Sequence, residues 1–323
     1  MSKSMSTHES YSRLRSFDEL YIPFPQFLTA KNTIETCLND FRETGITNHM
    51  LVTGEAGSGK TSLCRWLSQQ HPRKVLKDRN VMGVLITSIP PSATISGLAS
   101  AMLSALGDPF PERGTVTSRS QRVITLCRQC RVEMLLFDEA QHLHDRGNTK
   151  THYMVGDWLK YLIDDLNVPT VLLGLPRTEN ILLINDQLRR RFSKRCSLAL
   201  GQDKAANIAA ESLQIFLSLA SQIDIPIQYA PFSAQELGER LYFASDGRVA
   251  YIKKLLVASL RQSFERKIDV IDIALLEQVF TTEIWWDALG PLNPFNENFE
   301  FRRLDRGGEP FQAASNQVVR KSK

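Results

Sequence analysis

The chain has 323 residues, of which 42% are hydrophobic and 23% charged, and its formal net charge is +4. This length and hydrophobic content suffice for one large domain or two smaller ones with a substantial core. No apolar run reaches the roughly 18 to 20 residues that a membrane-spanning helix requires, and the polar first residues lack the apolar stretch of a secretory signal. Five cysteines at scattered positions are typical of reduced thiols, so we expect a cytoplasmic protein without a membrane partner.

Residues 1–20 carry few apolar side chains, and we interpret them as a mobile arm before ordered structure begins at Tyr21. From there, short apolar runs alternate with segments of helical periodicity, the first of which covers about residues 29–44. The predicted strands are 50–53, 81–87, 134–137, 170–173 and 196–200. Short apolar strands separated by helices indicate a parallel sheet buried on both faces, which places an α/β domain at residues 21–200.

After Gly201 only helical periodicity remains, which predicts a small all-helical domain at residues 201–288. Its predicted helices are 205–223, 233–244, 249–264 and 272–286. The second of them opens with Ser233-Ala-Gln-Glu236, the pattern of a capping box. Residues 289–323 are rich in Pro, Asn, Gly and Arg and are predicted to form an extended tail, whose phenylalanines and arginines indicate a partner-docking segment.

A phosphate-binding loop follows the first predicted strand. Residues Gly54 to Thr61 match G-x-x-x-x-G-K-T in full, with an apolar strand before them and a helical pattern after them. The glycines let successive backbone N–H groups turn toward phosphate oxygens, and the start of the helix adds its positive dipole. In this motif the lysine reaches the β- and γ-phosphates and the threonine hydroxyl binds Mg²⁺, so we expect ATP and Mg²⁺ as cofactors. The predicted contacts are Gly54, Glu55, Ala56, Gly57, Ser58, Gly59, Lys60, Thr61 and Ser62.

Two carboxylates complete the predicted site. Asp138 and Glu139 directly follow the apolar strand at 134–137, at the edge where open α/β sheets bind ligands. We expect Asp138 to hold Mg²⁺ together with Thr61, and Glu139 to orient the water that attacks the γ-phosphate. Lys60 and Glu139 are therefore the expected catalytic residues of this part of the site, and the chain is predicted to hydrolyse ATP.

Arginines at two further places are candidates for nucleotide contacts. Arg190 and Arg191 end a helix after the fourth strand, where basic residues also stabilise the negative end of the helix dipole. Our functional interpretation is that they reach the γ-phosphate bound by a neighbouring subunit, as catalytic arginine fingers. Arg248 precedes a helix of the C-terminal domain and is either a nucleotide contact or a solvated residue of the first helical turn.

Together these motifs resemble those of AAA+ ATPases, and closer features resemble the TniB and TnsC group among them. The resemblance rests on Tyr21-Ile-Pro-Phe-Pro, Phe137-Asp-Glu-Ala-Gln-His-Leu143, Gly156-Asp-Trp-Leu-Lys160, Leu173-Gly-Leu-Pro176 and Asp186-Gln-Leu-Arg-Arg-Arg-Phe192. It covers about residues 20–285 of the chain. One position departs from the common AAA+ pattern, because Gly174 stands where many relatives carry a polar sensor residue after the fourth strand.

The resemblance implies a P-loop AAA+ fold, with a helical lid after the parallel sheet, and ATP-dependent regulation of DNA transposition. Such proteins form rings or helical filaments on duplex DNA, recruit the transposase and pass on a target chosen by a TniQ-type protein. Two alternatives stay open: another DNA-associated AAA+ ATPase, related to replication initiators or clamp loaders, and a signalling switch controlled by ATP. We find neither a winged-helix pattern after residue 286 nor long repeats, which favours the transposition regulator.

A basic segment between the second and third predicted strands is the candidate DNA contact. It contains Arg113, Thr115, Arg119 and Arg122, a mixture of basic and small polar donors without apolar anchors. Such side chains neutralise phosphates without reading the bases, so we expect contacts with the DNA backbone that do not depend on sequence. The alternative interpretation is a solvated loop followed by the start of a helix.

Overall fold

The computed structural model of the chain describes residues 7–19, 23–77, 80–91, 93–145, 149–184, 186–201 and 207–312. The predicted start of order at Tyr21 and the last residues of the predicted tail lie outside these ranges. The chain divides into two compact units. We call Pro23–Ala199 the α/β unit, and we call Met1–Ile22 together with Leu200–Lys323 the helical unit.

The α/β unit is built on a parallel sheet of five strands, with a short antiparallel pair beside it. The strands are β1 (Met50–Thr53), β2 (Lys74–Val75), β3 (Asn80–Val81), β4 (Val84–Ser88), β5 (Met134–Asp138), β6 (Thr170–Gly174) and β7 (Lys194–Ser197). Their order across the sheet is β4-β5-β6-β1-β7, and β2 pairs with β3. The central strands β5, β6 and β1 are buried along their whole length, which explains why their sequences are continuously apolar. The predicted parallel sheet is confirmed.

Two predicted strands have different bounds in the structure. The run 81–87 is divided between β3 and β4 at Gly83, whose carbonyl accepts hydrogen bonds from the N–H groups of both Glu133 and Met134. The strand predicted at 196–200 begins at Lys194 and ends at Ser197. It is an edge strand and only partly buried, so it tolerates polar residues that hide it from a search for apolar runs.

Helices flank the sheet and form the second unit. They are α1 (Thr7–Glu19), α2 (Pro25–Thr44), α3 (Lys60–Gln70), α4 (Ile95–Leu106), α5 (Val116–Gln129), α6 (His142–Asp145), α7 (Thr149–Leu166), α8 (Glu179–Ile184), α9 (Asp186–Arg191), α10 (Ile208–Ala220), α11 (Ala234–Ser245), α12 (Val249–Arg266) and α13 (Ile273–Glu283). None of the helices in the described ranges is both long and apolar enough to cross a bilayer. The four helices predicted after Gly201 are confirmed, and the Ser233 hydroxyl accepts a hydrogen bond of 3.1 Å from the N–H of Glu236, as the capping pattern predicts.

The prediction of a mobile N-terminal arm is wrong for residues 7–19, which form α1. Leu14 and Phe17 are buried, and α1 packs against α12 in the helical unit. An ion pair of 2.7 Å between Arg13 and Asp224 adds a polar contact. Two apolar residues spaced three apart on a short helix give it a buried face, although charged neighbours make the segment polar on average.

The prediction of an extended tail is also wrong for residues 289–312, while its docking of a partner stays a prediction. Phe295, Phe299 and Phe311 are buried, and their rings lie against those of Phe280, Phe243 and Tyr251 respectively. The guanidinium of Arg240, itself 2% exposed, donates to the carbonyls of Pro294 and Asn296. The aromatic residues are therefore core residues of the helical unit, because α11, α12 and α13 offer them apolar partners that the local sequence does not reveal.

His49 connects the starts of two strands in the α/β unit. It directly precedes β1, and its Nδ1 accepts a hydrogen bond of 3.1 Å from the N–H of Thr170, the first residue of β6. The ring is 8% exposed and packs against Phe192. Burial, with a smaller contribution from Arg191, lowers the pKa of His49 from 6.5 to about 4. The imidazole is therefore neutral near pH 7, as its role as an acceptor requires.

We expect this histidine to make the fold sensitive to acid. The unfolded chain binds the proton at higher pH than the folded chain does, so stability is full above the unfolded pKa and is lost as pH falls toward the folded value. At pH 5 the expected loss in unfolding free energy is about 2 kcal/mol. Urea denaturation at pH 7.5 and pH 5 measures it. His49→Phe should be less stable at pH 7.5, because Thr170 loses its acceptor, but it should lose less on acidification; equal losses in the two proteins would contradict the assignment.

Candidate nucleotide-binding site

The phosphate loop has the backbone that its sequence predicts. It connects the end of β1 to the start of α3, and Gly57 and Gly59 have φ of 83° and 98°, a region that side chains disfavour. At Gly54 a Cβ would lie 2.3 Å from the Ser58 hydroxyl oxygen, so this position also needs glycine. The N–H of Gly54 donates to the carbonyl of Gly174 at 3.0 Å, which fixes the loop to the end of β6.

Lys60 points into the loop. Its Nζ donates to the carbonyls of Gly54 at 2.6 Å and Glu55 at 2.9 Å. Burial lowers the pKa of Lys60, and the carboxylates of Glu139 and Asp138 oppose that shift. The ammonium group therefore lies among acceptors and near both predicted acidic residues, where phosphate oxygens are stronger acceptors than peptide carbonyls.

The structure brings Asp138 close to this loop. It ends β5, is 8% exposed, and accepts a hydrogen bond of 2.8 Å from the N–H of Glu139. Burial raises the pKa of its carboxyl, and the Cys64 thiol on α3 hydrogen-bonds to it. Cys64, one turn after Lys60, is not among the residues predicted from the sequence.

These residues fit an ATP–Mg²⁺ complex. The Ser58 hydroxyl oxygen is buried and has no hydrogen-bond partner in the described part of the chain, which leaves it available to a phosphate oxygen. Thr61 follows Lys60 on the first turn of α3, with its side chain exposed. No cluster of three or more His, Cys, Asp or Glu side chains within the described ranges could hold a metal by itself. A hydroxyl and a single carboxylate match the way Mg²⁺ is commonly held, with phosphates and water as its remaining ligands.

Glu139 has an unusual backbone and an unexpected partner. Its φ is 57°, in the left-handed region that few non-glycine residues adopt. Its carboxylate accepts a hydrogen bond from Nε2 of Gln141. Gln141 is not among the predicted site residues. Two features of the sequence could have indicated it: its position two residues after Glu139, and the glycine at position 174.

Arg190 and Arg191 lie near the amino ends of the strands, whereas the phosphate loop lies at their carboxyl ends. They end α9, just before β7, whose first residue Lys194 is opposite Met50 at the start of β1. The length of β1 separates that edge from the loop by about 10 Å, before the flanking residues are counted. Arg191 is paired with Asp164 at 2.7 Å, whereas Arg190 is exposed and has no ion pair among the described residues.

The predicted DNA segment covers the turn after α4 and the first half of α5. Thr115 caps α5, since its hydroxyl accepts from the N–H of Ser118 at 3.2 Å. The guanidinium of Arg119 donates to the hydroxyls of Ser96 and Ser100 on α4 at 2.6 and 3.0 Å. Arg119 therefore joins the two helices, a structural role that its sequence context does not predict.

Arg122 is also engaged within the protein. It forms an ion pair of 2.8 Å with Asp108 and donates to the carbonyls of Arg113 and Phe110. Arg113 is exposed, with its guanidinium 6.0 Å from the ring centre of Phe110. Of the three predicted DNA-binding arginines, Arg113 is thus the exposed one, whereas Arg119 and Arg122 are hydrogen-bonded within the protein.

Arg248 lies in the helical unit, immediately before α12. Its Nη2 is 3.4 Å from a carboxylate oxygen of Asp246, and its guanidinium lies over the ring of Phe311 at 5.3 Å. It is half-buried, which rules out the interpretation of a fully solvated first-turn residue. Its contact with the nucleotide stays a prediction.

The chain is similar in fold to solved AAA+ structures. The Aeropyrum pernix ORC2 protein, in ADPNP–ADP complexes, aligns over 83% of this chain and 70% of its own, with a TM-score of 0.58 at 14% identity. Cdc6p from Pyrobaculum aerophilum aligns over 82% and 69%, with a TM-score of 0.60 at 13% identity. The Aeropyrum pernix ORC1 protein in complex with DNA aligns over 80% and 65%, with a TM-score of 0.56 at 14% identity. The predicted AAA+ fold is confirmed.

The family assignment rests on the sequence itself. No curated protein matches the chain. The sequence model of the family described as bacterial TniB protein matches residues 16–198, more than half of the chain. The matched region includes the phosphate loop, the two acidic residues Asp138 and Glu139 at the end of β5, and the arginines of α9. The chain therefore belongs to the TniB family, within the group that its motifs resemble.

Proposed function

We propose that the chain is an ATP-dependent regulator of DNA transposition. It binds and hydrolyses ATP with Mg²⁺, assembles with copies of itself on duplex DNA, and links a TniQ-type target-selection protein to the transposase. The observation that carries the proposal is a TniB-family chain in which a complete phosphate loop faces a buried Asp138 and a neighbouring Glu139. The cytoplasm is the expected compartment.

Each residue of the site has a role in this proposal. Lys60 exchanges its two loop carbonyls for β- and γ-phosphate oxygens, and the backbone N–H groups of the loop bind the same phosphates. Thr61 and Asp138 hold Mg²⁺, which neutralises charge on the phosphate oxygens. Glu139 orients the attacking water through its carboxylate.

The position of α9 supports completion of the site by a neighbouring subunit. Arg190 and Arg191 lie near the amino ends of the strands, remote from their own phosphate loop, which supports a role for them in the site of a second copy of the chain. A polar recess of about 570 Å³ beside them is lined by Asn48, His49 and Asp164, among others. Arg248 is kept as a predicted nucleotide contact.

Contacts with DNA are assigned to the turn between α4 and α5. Arg113 contributes an exposed charge, while Arg119 and Arg122 hold the turn in shape and Thr115 caps the following helix. The similarity in fold to an ORC1 protein solved with DNA is compatible with this role. The contacts involve phosphates alone, so affinity should fall steeply with salt and depend little on base sequence.

Electron microscopy of the protein with duplex DNA and a slowly hydrolysed ATP analogue tests the proposal. We expect helical filaments or stacked rings on the DNA, equally on duplexes of unrelated sequence, because backbone phosphates are the same in each. Omission of nucleotide should abolish them, since the interface between subunits includes the bound triphosphate. Isolated monomers in the presence of both DNA and nucleotide would contradict assembly and favour a signalling switch controlled by ATP.

A further inference from the structure

Gln141 connects the catalytic glutamate to the end of β6. It is 3% exposed, and its Oε1 accepts a hydrogen bond of 3.1 Å from the N–H of Leu175. Its Nε2 donates to the carboxylate of Glu139. The orientation of the amide is determined by these partners, because the reverse orientation would place its oxygen against a carboxylate and its NH₂ group against an N–H donor.

The glycine at position 174 makes room for this side chain. A Cβ there would lie 3.0 Å from both the backbone nitrogen and Oε1 of Gln141, and 2.2 Å from the Thr178 hydroxyl oxygen. A polar side chain at 174 and the present arrangement of Gln141 are thus mutually exclusive without movement. The carbonyl of Gly174 also accepts a hydrogen bond from the N–H of Gly54 in the phosphate loop. Leu175, the anchor of Gln141, therefore directly follows a residue that is bound to this loop.

We propose that Gln141 is a positioning residue for ATP hydrolysis, and that its amide takes the place of the polar side chain absent at position 174. This inference rests on the proposed ATPase activity. One hydrogen bond to Leu175 anchors Gln141, and the other holds the Glu139 carboxylate in one orientation above the phosphate loop.

Gln141→Met tests the proposal, because methionine fills a similar volume but makes neither hydrogen bond. We expect kcat for ATP hydrolysis in the presence of duplex DNA to fall by about 30- to 100-fold, while the Kd for a fluorescent ATP analogue changes little. The Tm should fall by a few degrees, because the N–H of Leu175 loses its acceptor. Thr178→Val is the matched control. Thr178 is buried beside Gly174, and its hydroxyl oxygen has no hydrogen-bond partner among the described residues, so its kcat should stay at the wild-type value. If the methionine variant does not fold, Gln141→Glu retains the acceptor for Leu175 and repels Glu139, and it should show the same loss.

The double variant with Glu139→Gln separates positioning from a general structural effect. If Gln141 acts through Glu139, then Gln141→Met slows the Glu139→Gln enzyme no further. A wild-type kcat in Gln141→Met, or the same fold-loss in the Glu139→Gln background, would overturn the inference while leaving the proposed function intact. No hydrolysis by the wild-type protein would instead refute the proposed function, and the inference with it.

Discussion

Lys60→Ala should lower ATP turnover at least about a thousandfold and weaken ATP binding about a hundredfold, the largest loss that we expect from a single substitution. The side chain is the one ammonium group inside the loop in the described structure, and it already makes two charge-assisted hydrogen bonds to loop carbonyls. With phosphate bound, the same donors would stabilise charge that develops on the β- and γ-phosphates. Isothermal titration with a slowly hydrolysed analogue measures binding, and phosphate release measures turnover.

Two controls make the Lys60 result specific. Lys74→Ala removes an exposed lysine from β2 and should leave binding and turnover unchanged. Glu139→Gln should keep ATP affinity within a few-fold of the wild-type value, whereas turnover should fall about a hundredfold or more. The substitution removes the carboxylate that orients the attacking water but leaves the contacts that bind phosphate. Lys60→Ala protein that bound and split ATP as the wild type does would refute the site as a whole.

The sequence is a good guide wherever one type of residue repeats along a whole element. The strands β1, β5 and β6 are buried on both faces and therefore read as continuous apolar runs. The phosphate loop can also be predicted from the sequence, because Gly57 and Gly59 allow the positive φ that the loop needs and Lys60 supplies its positive charge. These features need no knowledge of distant parts of the chain.

Prediction fails where a residue owes its role to a distant partner. Leu14 and Phe17 are too few to signal a packed helix until α12 supplies the surface that covers them. Phe295 and Phe311 resemble exposed anchors in a Pro- and Arg-rich segment, yet Phe280 and Tyr251 enclose them. Average polarity over a window hides such faces.

The candidate site shows the same division. Glu139 is predicted from its neighbours in sequence, whereas Gln141 acquires its role from Leu175, which lies 34 positions later. Arg119 and Arg122 are predicted as DNA contacts from the basic and small polar composition of their segment. Their hydrogen bonds to α4 and to Asp108, however, depend on the packing of two helices. Charge can be read from sequence, while the partner of a charge cannot.

Arg190→Ala is the second substitution with a large expected effect. We expect it to lower ATP turnover about a thousandfold in the assembled protein, as loss of an arginine finger does, with little effect on ATP binding by each chain. Arg190 is exposed and unpaired among the described residues, so its guanidinium is available to a second chain. Arg189→Ala is the matched control, because Arg189 is on the same helix but pairs with Asp186 at 2.8 Å. Its turnover should stay close to that of the wild type.

Mixing two inactive variants decides whether Arg190 acts on a neighbouring subunit. An Arg190→Ala chain keeps its phosphate loop and Glu139, and a Glu139→Gln chain keeps its arginines, so an interface between the two contains one complete site. In an equal mixture about a quarter of the interfaces have this arrangement, and turnover should recover to about that fraction of the wild-type rate. A finger that served its own chain would show no recovery, because every subunit would lack either the arginine or the glutamate. The distance between α9 and the phosphate loop across the length of β1 makes recovery the expected result.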